Sequence, residues 1–591
     1  RFFHQQVGHS LSLREVLMSN SGPLGRPVSM FTFWLNSVLT PDNLAAWKLT
    51  NILIHVLCGL LAGLLAMELF AAAPSDHGIE PRYLGAFVGI VWLLHPLQVS
   101  TVLYTVQRMT ELATLFSFAG LYAFVLSRRA QTHATLGRTL LGLTIMSLAA
   151  ILASLSKENG LLLPFLALAI EVLLFHGAGT TDAARAIKYY FGGLCALTLT
   201  GILLLLALRP QFISGGYAFR DFTLGQRLLS EPRILFDYLS MLLWPTPDRM
   251  GFFHDDVMLS TSIIHPLTTL LSLLGLITLA ASAWIARKRF PLYAAGVAIF
   301  LIGQSMESSF VALQLMFEHR NYLPGFGVFL GITALGGRLL ERRSQLLQGG
   351  LAAAILVSLT LLLAVRVMYW SSDLTLYTAA VRAHPKSDAA VAGLAQTYLD
   401  SGKPDAALQV LAAHKSFGAQ LQRAYIECRM HGNLPATRFA SLLNMPMGHL
   451  GSYPVTGLAM LGGLGIKKQC QLPDAAYSRL IDRAAEIDTT GPSLRYMLYI
   501  YSGYYHQRLN QLPQAIIAMQ NAHRMSPNTP VPLILSARWY LQAGDPIRAT
   551  NQLEQASSID RKYHAGFAHD IAELQAQIAA AGNKLPANRP R

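Results

Sequence analysis

The sequence predicts an all-α chain in two parts, a polytopic helical membrane domain followed by an α-solenoid of short helical repeats. Three observations carry that prediction. Of the 591 residues, 52% are hydrophobic and only 13% charged, and the mean hydropathy is positive, whereas soluble domains carry about a quarter charged residues. The apolar residues are unevenly spread: up to about Trp370 they form long runs broken by short polar loops, and beyond it the runs stop. The tail that follows repeats itself at a spacing that paired helices produce.

A spanning helix needs about 20 mostly apolar residues. Runs that meet or approach this length lie near 47–70, 83–104, 108–127, 138–155, 160–176, 189–208, 265–286, 291–307, 323–340 and 349–370. If these alternate across a bilayer, Arg128 with Arg129, Arg138, Arg185 with Lys188, Arg287-Lys288-Arg289, and Arg338 with Arg342 and Arg343 fall on one side. Short loops rich in Lys and Arg face the cytoplasm. The outer side then receives 1–46, the turn after His95, the turn "SKENG" at 156–160, 209–264, 308–322 and everything after Trp370. In 209–264, the apolar core of "RILFDYLSMLLWPTPDRMGFFHDD" is too short to span, and Pro245 and Pro247 stop a helix. A re-entrant or interfacial segment is expected there, with Trp244 at the headgroup level. The chain opens in a polar stretch, so 1–46 is expected to be a first outer loop with a spanning segment upstream of Arg1. The division is thus 1–46, a membrane domain at 47–370, and an outer tail at 371–591.

In the tail, "YLDSGKPDAALQVL" (398–411) and "YLQAGDPIRATNQL" (540–553) share Tyr, Gly and Ala at matching offsets. Ala515 precedes Ala549 by 34 residues, the period of tetratricopeptide repeats. Small Ala lets two helices pack closely, Gly turns the chain, and Tyr wedges between neighbours. "PKSD" at 385–388 and "SPNT" at 526–529 mark helix starts, and 420–500 is more degenerate. A solenoid of this kind offers a concave surface to an extended peptide or protein.

The net charge of +14 is explained by cytoplasmic loops; no basic stripe with interleaved aromatics points to nucleic acid. Four cysteines are too few for a disulfide framework. Cys58 and Cys195 lie in apolar spans, while Cys428 and Cys470 lie in the tail and are placed to pair if it faces an oxidising compartment.

The unusual polar residues collect on the outer side, where ionisable groups beside spans are expensive and read as functional by default. Arg108 and Glu111 lie at i and i+3 and can pair with each other. His95-Pro96 ends the preceding span beside them; "SKENG" offers Lys157 and Glu158; "FEHRNYLP" offers Glu318, His319, Arg320 and Tyr322; "GPLGRPVSM" offers Arg26. Each alone can anchor a helix end. Together, the cations suit a phosphate or pyrophosphate leaving group, and a carboxylate nearby suits general-base work on a hydroxyl. His55, mid-span, reads as a core residue bonded to a neighbouring helix. "HDD" at 254–256 lacks a third spaced ligand, so no cofactor is expected and a divalent metal is only weakly indicated.

"RPVSMFTFWLN", "HPLQVSTVLYTVQRMTEL", "SKENGLLLPFLALAIEVLL", "YLSMLLWP" and "FEHRNYLPGFGVFLG", in this order and followed by the repeats, resemble the transmembrane and tetratricopeptide-repeat-containing O-mannosyltransferases, in particular their bacterial relatives. That family is similar to the GT-C glycosyltransferases. The resemblance implies transfer of a sugar from a polyprenyl-phosphate carrier to Ser or Thr of a protein, at the periplasmic face of a bacterial inner membrane. The repeats would bind the acceptor. Arg26 matches the family's Arg-Pro, His95 its His-Pro, Arg108 with Glu111 its Arg-x-x-acid, Lys157 and Glu158 its Lys-Glu, and Glu318, Arg320 and Tyr322 its Glu-x-Arg-x-x-Tyr-Leu-Pro. Gln98 and Ser100 stand where eukaryotic members carry a histidine and an acid, so mannose does not follow. The family's catalytic aspartate is expected upstream of Arg1. On this reading Arg108, Lys157 and Arg320 hold the lipid phosphate, Arg26, His95, His319 and Tyr322 complete the donor site, and Glu111, Glu158 or Glu318 supplies the catalytic carboxylate. The rival reading is a non-enzymatic membrane-anchored scaffold for envelope or pilus assembly; a flippase would place its charges along a path through the spans rather than at one rim.

Overall fold

The structure, a computed structural model, describes residues 13, 24–41, 43–73, 79–129, 135–208, 216, 217, 220, 222–447, 450–487, 491–563 and 566–582. Most of 1–46 ahead of Leu24 therefore lies outside the described residues. The chain is all-α, with no strand among the described residues and one isolated bridge between Asn433 and Gln471. It divides into two compact units, Arg1–Phe212 with Gly225–Pro385, and Ile213–Leu224 with Lys386–Arg591.

The first unit begins with α1 (Pro27–Leu39), α2 (Leu44–Ala72) and α3 (Pro81–Leu94). After the short α4 (Val99–Leu103) come α5 (Arg108–Arg128), α6 (Leu136–Ser156), α7 (Leu163–Ile170) and α8 (Thr181–Leu208). It continues through α9 (Leu224–Leu243), α10 (Leu267–Ala286), α11 (Pro291–Gln304), α12 (Pro324–Leu340), α13 (Gln345–Tyr369) and α14 (Asp373–Ala383). Among the described residues, seven helical segments are long and apolar enough to cross a membrane, and eight if the bent pair Pro81–Leu94 and Pro96–Leu103 is one span.

Three expectations change. The loop expected at 1–46 contains α1, which starts at Pro27, a residue whose fixed φ suits the first helical turn. The span expected at 83–104 is broken at His95 by a 47° bend, because Pro96 has no N–H to give the helix and the His95 Nδ1 accepts the Leu97 N–H instead (3.2 Å). The runs at 291–307 and 323–340 give α11 and α12, helices of only 14 and 17 residues. Fourteen residues reach about 21 Å, short of a hydrocarbon core about 30 Å thick. The two are pressed together backbone to backbone: a Cβ added at Gly296 would collide with the Gly327 carbonyl, and one at Gly327 with the Gly296 carbonyl. The connection between them, 305–323, is therefore held at both ends.

The apolar core expected within 209–264 is α9, which buries one stripe, Arg227, Ser230, Glu231, Ile234, Leu235, Tyr238 and Met241, and is followed by an exposed Trp244. That spacing is the face of an amphipathic helix. Its buried Arg227 donates to the carbonyls of Glu307, Ser309 (2.7 Å), Leu313 (2.5 Å) and Gln314 (3.3 Å). It also pairs with Glu231 at 2.7 Å. The connection 305–323 is thus folded around one guanidinium.

In the second unit, α15 (Asp388–Asp400) and α16 (Pro404–Ala413) form one hairpin, and α23 (Val531–Gln542) and α24 (Pro546–Tyr563) another. Between these lie α17 (Phe417–His431), α18 (Ala436–Asn444), α19 (Ser452–Ile466), α20 (Asp474–Ala485), α21 (Pro492–Arg508) and α22 (Leu512–Met525), and α25 (Ala568–Gly582) follows. The repeat logic is visible in the turns. Gly402 and Gly544 take left-handed φ of 69° and 78°, and Asn510 does the same at 59° between α21 and α22. These are the residue types that tolerate αL. Ala407, Ala515 and Ala549 are fully buried one after each turn. In the degenerate stretch, a disulfide joins Cys428 of α17 to Cys470 after α19.

Candidate functional site

The polar residues expected at the outer rim divide into two groups when their hydrogen bonds are followed. The first surrounds a narrow cleft between α5, the turn 157–162 and the 305–323 connection. It is lined by Thr110 and Thr114 of α5, Lys157, Asn159, His319 and Arg320, with Leu166 and Pro324 at its apolar end. It offers the centre of a water molecule about 20 Å³, room for a water rather than a sugar.

Lys157 is placed there by the end of α6: its backbone is extended, which turns the chain out of the helix. Its Nζ donates to Glu307 Oε1 (2.8 Å) and Thr110 Oγ1 (3.1 Å). Arg320 donates to the carbonyls of Leu315 (2.6 Å) and Gln314, and its Nε lies 3.5 Å from Glu307 Oε2. One carboxylate therefore stands between two cations, leaving the cluster net positive. Burial alone would raise the Glu307 carboxyl, but Lys157 and then Arg320 outweigh it and hold it at about 2. His319 is held well below the ordinary imidazole value, by burial first and then by the Lys157 ammonium. Beside Lys157, Glu158 is gripped by Arg26, whose Nε and Nη2 lie 2.8–3.1 Å from its oxygens, and Arg26 itself sits in a left-handed conformation at the start of α1. Arg26 and Glu158 are about one-fifth exposed.

The second group is spent on the fold. Arg108 is fully buried and does not pair with Glu111. It donates to Asn51 Oδ1 (2.7 Å), Asn36 Oδ1 (2.6 Å) and the carbonyls of Thr32 (3.1 Å) and Trp47 (3.0 Å), with Phe33 against its face. As the first residue of α5 it reaches across to α1 and α2, so the expected phosphate-binding role for Arg108 is replaced by a three-helix clamp. Glu111 points into the bundle, where neither side-chain oxygen has a hydrogen-bond partner among the described residues, and it does not line the cleft. His95 has both ring nitrogens on backbone, accepting from Leu97 N–H and donating to the Leu242 carbonyl (3.2 Å). Tyr322 bonds His55 through its hydroxyl (2.8 Å) and the Trp92 indole through its carbonyl (2.8 Å), which gives His55 the core role expected of it.

Glu318 is buried against Arg366 of α13 (2.8 and 3.0 Å). Near it, His254 faces His384, whose Nδ1 lies 2.9 Å from Asp256. His254 is pushed down to about 3, by burial first and then by His384. Among the described residues no three His, Cys, Asp or Glu side chains are placed to hold a metal ion.

Sequence reading missed Glu307, Thr110, Asn159 and Arg366. Glu307 was visible as an acid at the end of an apolar run, but its partner Lys157 is far away in the chain, and nothing local announces the pair.

Two comparisons with known proteins bear on the chain. A tetratricopeptide-repeat family model matches residues 374–425. Over 160 residues the chain is 29% identical to a protein O-mannosyl-transferase of Caenorhabditis elegans; the match covers 27% of this chain and 21% of that protein. The chain is thus an all-α protein with apolar helices able to span a membrane and tetratricopeptide repeats, similar over a quarter of its length to a protein named as a glycosyltransferase.

Proposed function

We propose that the chain is an integral-membrane glycosyltransferase of the GT-C type, moving a sugar from a polyprenyl-phosphate carrier to a Ser or Thr hydroxyl of a protein on the periplasmic side of a bacterial inner membrane. The observation that carries this reading is the Lys157–Glu307–Arg320 cluster at the cleft. Negative charge develops on the phosphate as it leaves the sugar, and an ammonium and a guanidinium already fixed in place stabilise it with little reorganisation. Glu307 holds the two cations apart and oriented. The acceptor oxygen bonds to the anomeric carbon as the carbon–oxygen bond to phosphate breaks. Its proton passes to Glu158, the carboxylate adjoining the cleft, which Arg26 positions. Inversion at the sugar follows from a single displacement. The cleft must widen to admit a sugar, which fits closure around bound donor.

The Cys428–Cys470 disulfide supports a tail in an oxidising compartment, as does the collection of Lys and Arg in the opposite loops. The repeats suit an extended protein acceptor.

The test is transfer of radiolabel from undecaprenyl-phosphate sugars to protein in membrane vesicles holding the full chain. Lys157→Met and Glu158→Gln, at matched abundance, are expected to lose about 100-fold or more of the rate. No transfer with any donor, while the repeats retain a defined envelope protein, would replace the enzyme with the scaffold.

A further inference from the structure

A second opening lies at the far end of the helix that begins at Glu158. That helix finishes in a wide turn over Glu171–Phe175, after which His176 and Gly177 take left-handed backbone (φ 52° and 74°) before α8 starts. Leu168 and Val172 form one wall of a groove of about 560 Å³, and Ile187, Phe191 and Cys195 of α8 form the other. The α8 residues recur at i, i+4 and i+8, so one stripe of the helix faces the groove. That volume is within the range of small-ligand sites.

Three features say what fills it. The helix α8 is apolar enough to span, yet only 11% of its spanning window is buried inside the protein, so it stands among lipid. Polar groups appear at one end only: Lys188 and His176 line the groove near the loop that joins the two helices. Lys188 has no ion pair among the described residues, whereas neighbouring Arg185 is matched by Asp182 at 3.4 Å. The lining carboxylate, Glu171, is neutralised by buried Arg128, with two contacts of 2.8 Å, and so does not repel an anion. Gly192, an exposed residue of the lining, leaves open space: a Cβ there would meet no atom within 4 Å.

We propose that this groove binds one anionic phospholipid, with an acyl chain between the α8 stripe and Leu168 and Val172, and the headgroup phosphate on Lys188 and His176. An apolar trough with a cation at its interfacial end is the arrangement that recognises such a lipid. The site lies at the opposite end of the helix from Lys157 and does not depend on donor chemistry.

The experiment uses the full chain, solubilised and stripped of lipid, then titrated with phosphatidylglycerol or with phosphatidylcholine of the same acyl chains. Bound lipid is counted by native mass spectrometry. Phosphatidylglycerol is expected to bind about fivefold more tightly, the worth of one lysine near an anionic headgroup. Lys188→Glu should bring it to or below the phosphatidylcholine level, and Gly192→Trp should remove both lipids without lowering the thermal midpoint, since the new ring occupies empty space. Equal retention of the two lipids by the wild type, or a preference that survives both substitutions, would overturn the proposal.

Discussion

Two short polar stretches, 95–111 and 305–323, connect apolar helices on the same side of the first unit and carry similar residues. They do different things. In the first, Arg108 has four acceptors of its own and His95 two backbone partners, so neither faces the cleft. In the second, Arg320 shares a single carboxylate with Lys157 and both line an opening. An arginine in a membrane domain is costly in either place; its destination, not its presence, decides between holding the fold and holding a substrate.

The largest test of this contrast is Arg108→Ala. It strands Asn36, Asn51 and two carbonyls in the bundle, and about 3–5 kcal/mol of stability should go, read as a collapse of the thermal midpoint and of abundance. If Arg108→Ala folds normally and only activity falls, the contrast fails. Next comes the acid limb of stability. Glu307 in the folded chain sits at about 2, below its ordinary value of 4.5, so its contribution is full above about pH 4.5 and is lost as pH falls toward 2. About 3 kcal/mol is at stake, and in Glu307→Gln that acid-dependent portion should vanish from thermal midpoints measured against pH. Tyr322→Phe comes third: it removes one buried hydrogen bond to His55 at a cost of about 1–2 kcal/mol, and transfer per folded molecule should stay at the wild-type rate. Asn159→Ala is expected to do the reverse, moving stability by no more than about 0.5 kcal/mol while raising the KM for the lipid-linked sugar.

Much of the fold was legible because it rests on local rules. Apolar runs gave the long helices, and Gly402, Gly544 and Ala549 gave the repeat hairpins, since a left-handed turn and a close helix contact restrict the residue types allowed. Boundaries failed where length alone could not decide: α11 and α12 read as spans, but their glycine contacts and the buried connection between them are tertiary facts. The site was legible by residue type and not by partner. Lys157, His319 and Arg320 were singled out because ionisable residues are rare beside spans, and the structure sets all three around one cleft. Pairing Arg108 with Glu111 was the natural helical guess, and it lost to Asn36 and Asn51, which the sequence places on other helices.

The grip of Arg227 on the connection 305–323 has a consequence for how such proteins can diversify. It binds carbonyl oxygens at residues 307, 309, 313 and 314, and every amino acid presents a carbonyl. Between Glu307 and Gln314 the path is therefore specified by Arg227 without reference to the side chains there. Residues 308–314 are free to drift, or to be exchanged for those of a relative, while their shape is kept, and Glu307 and Arg320, whose side chains form the cluster with Lys157, stay in place.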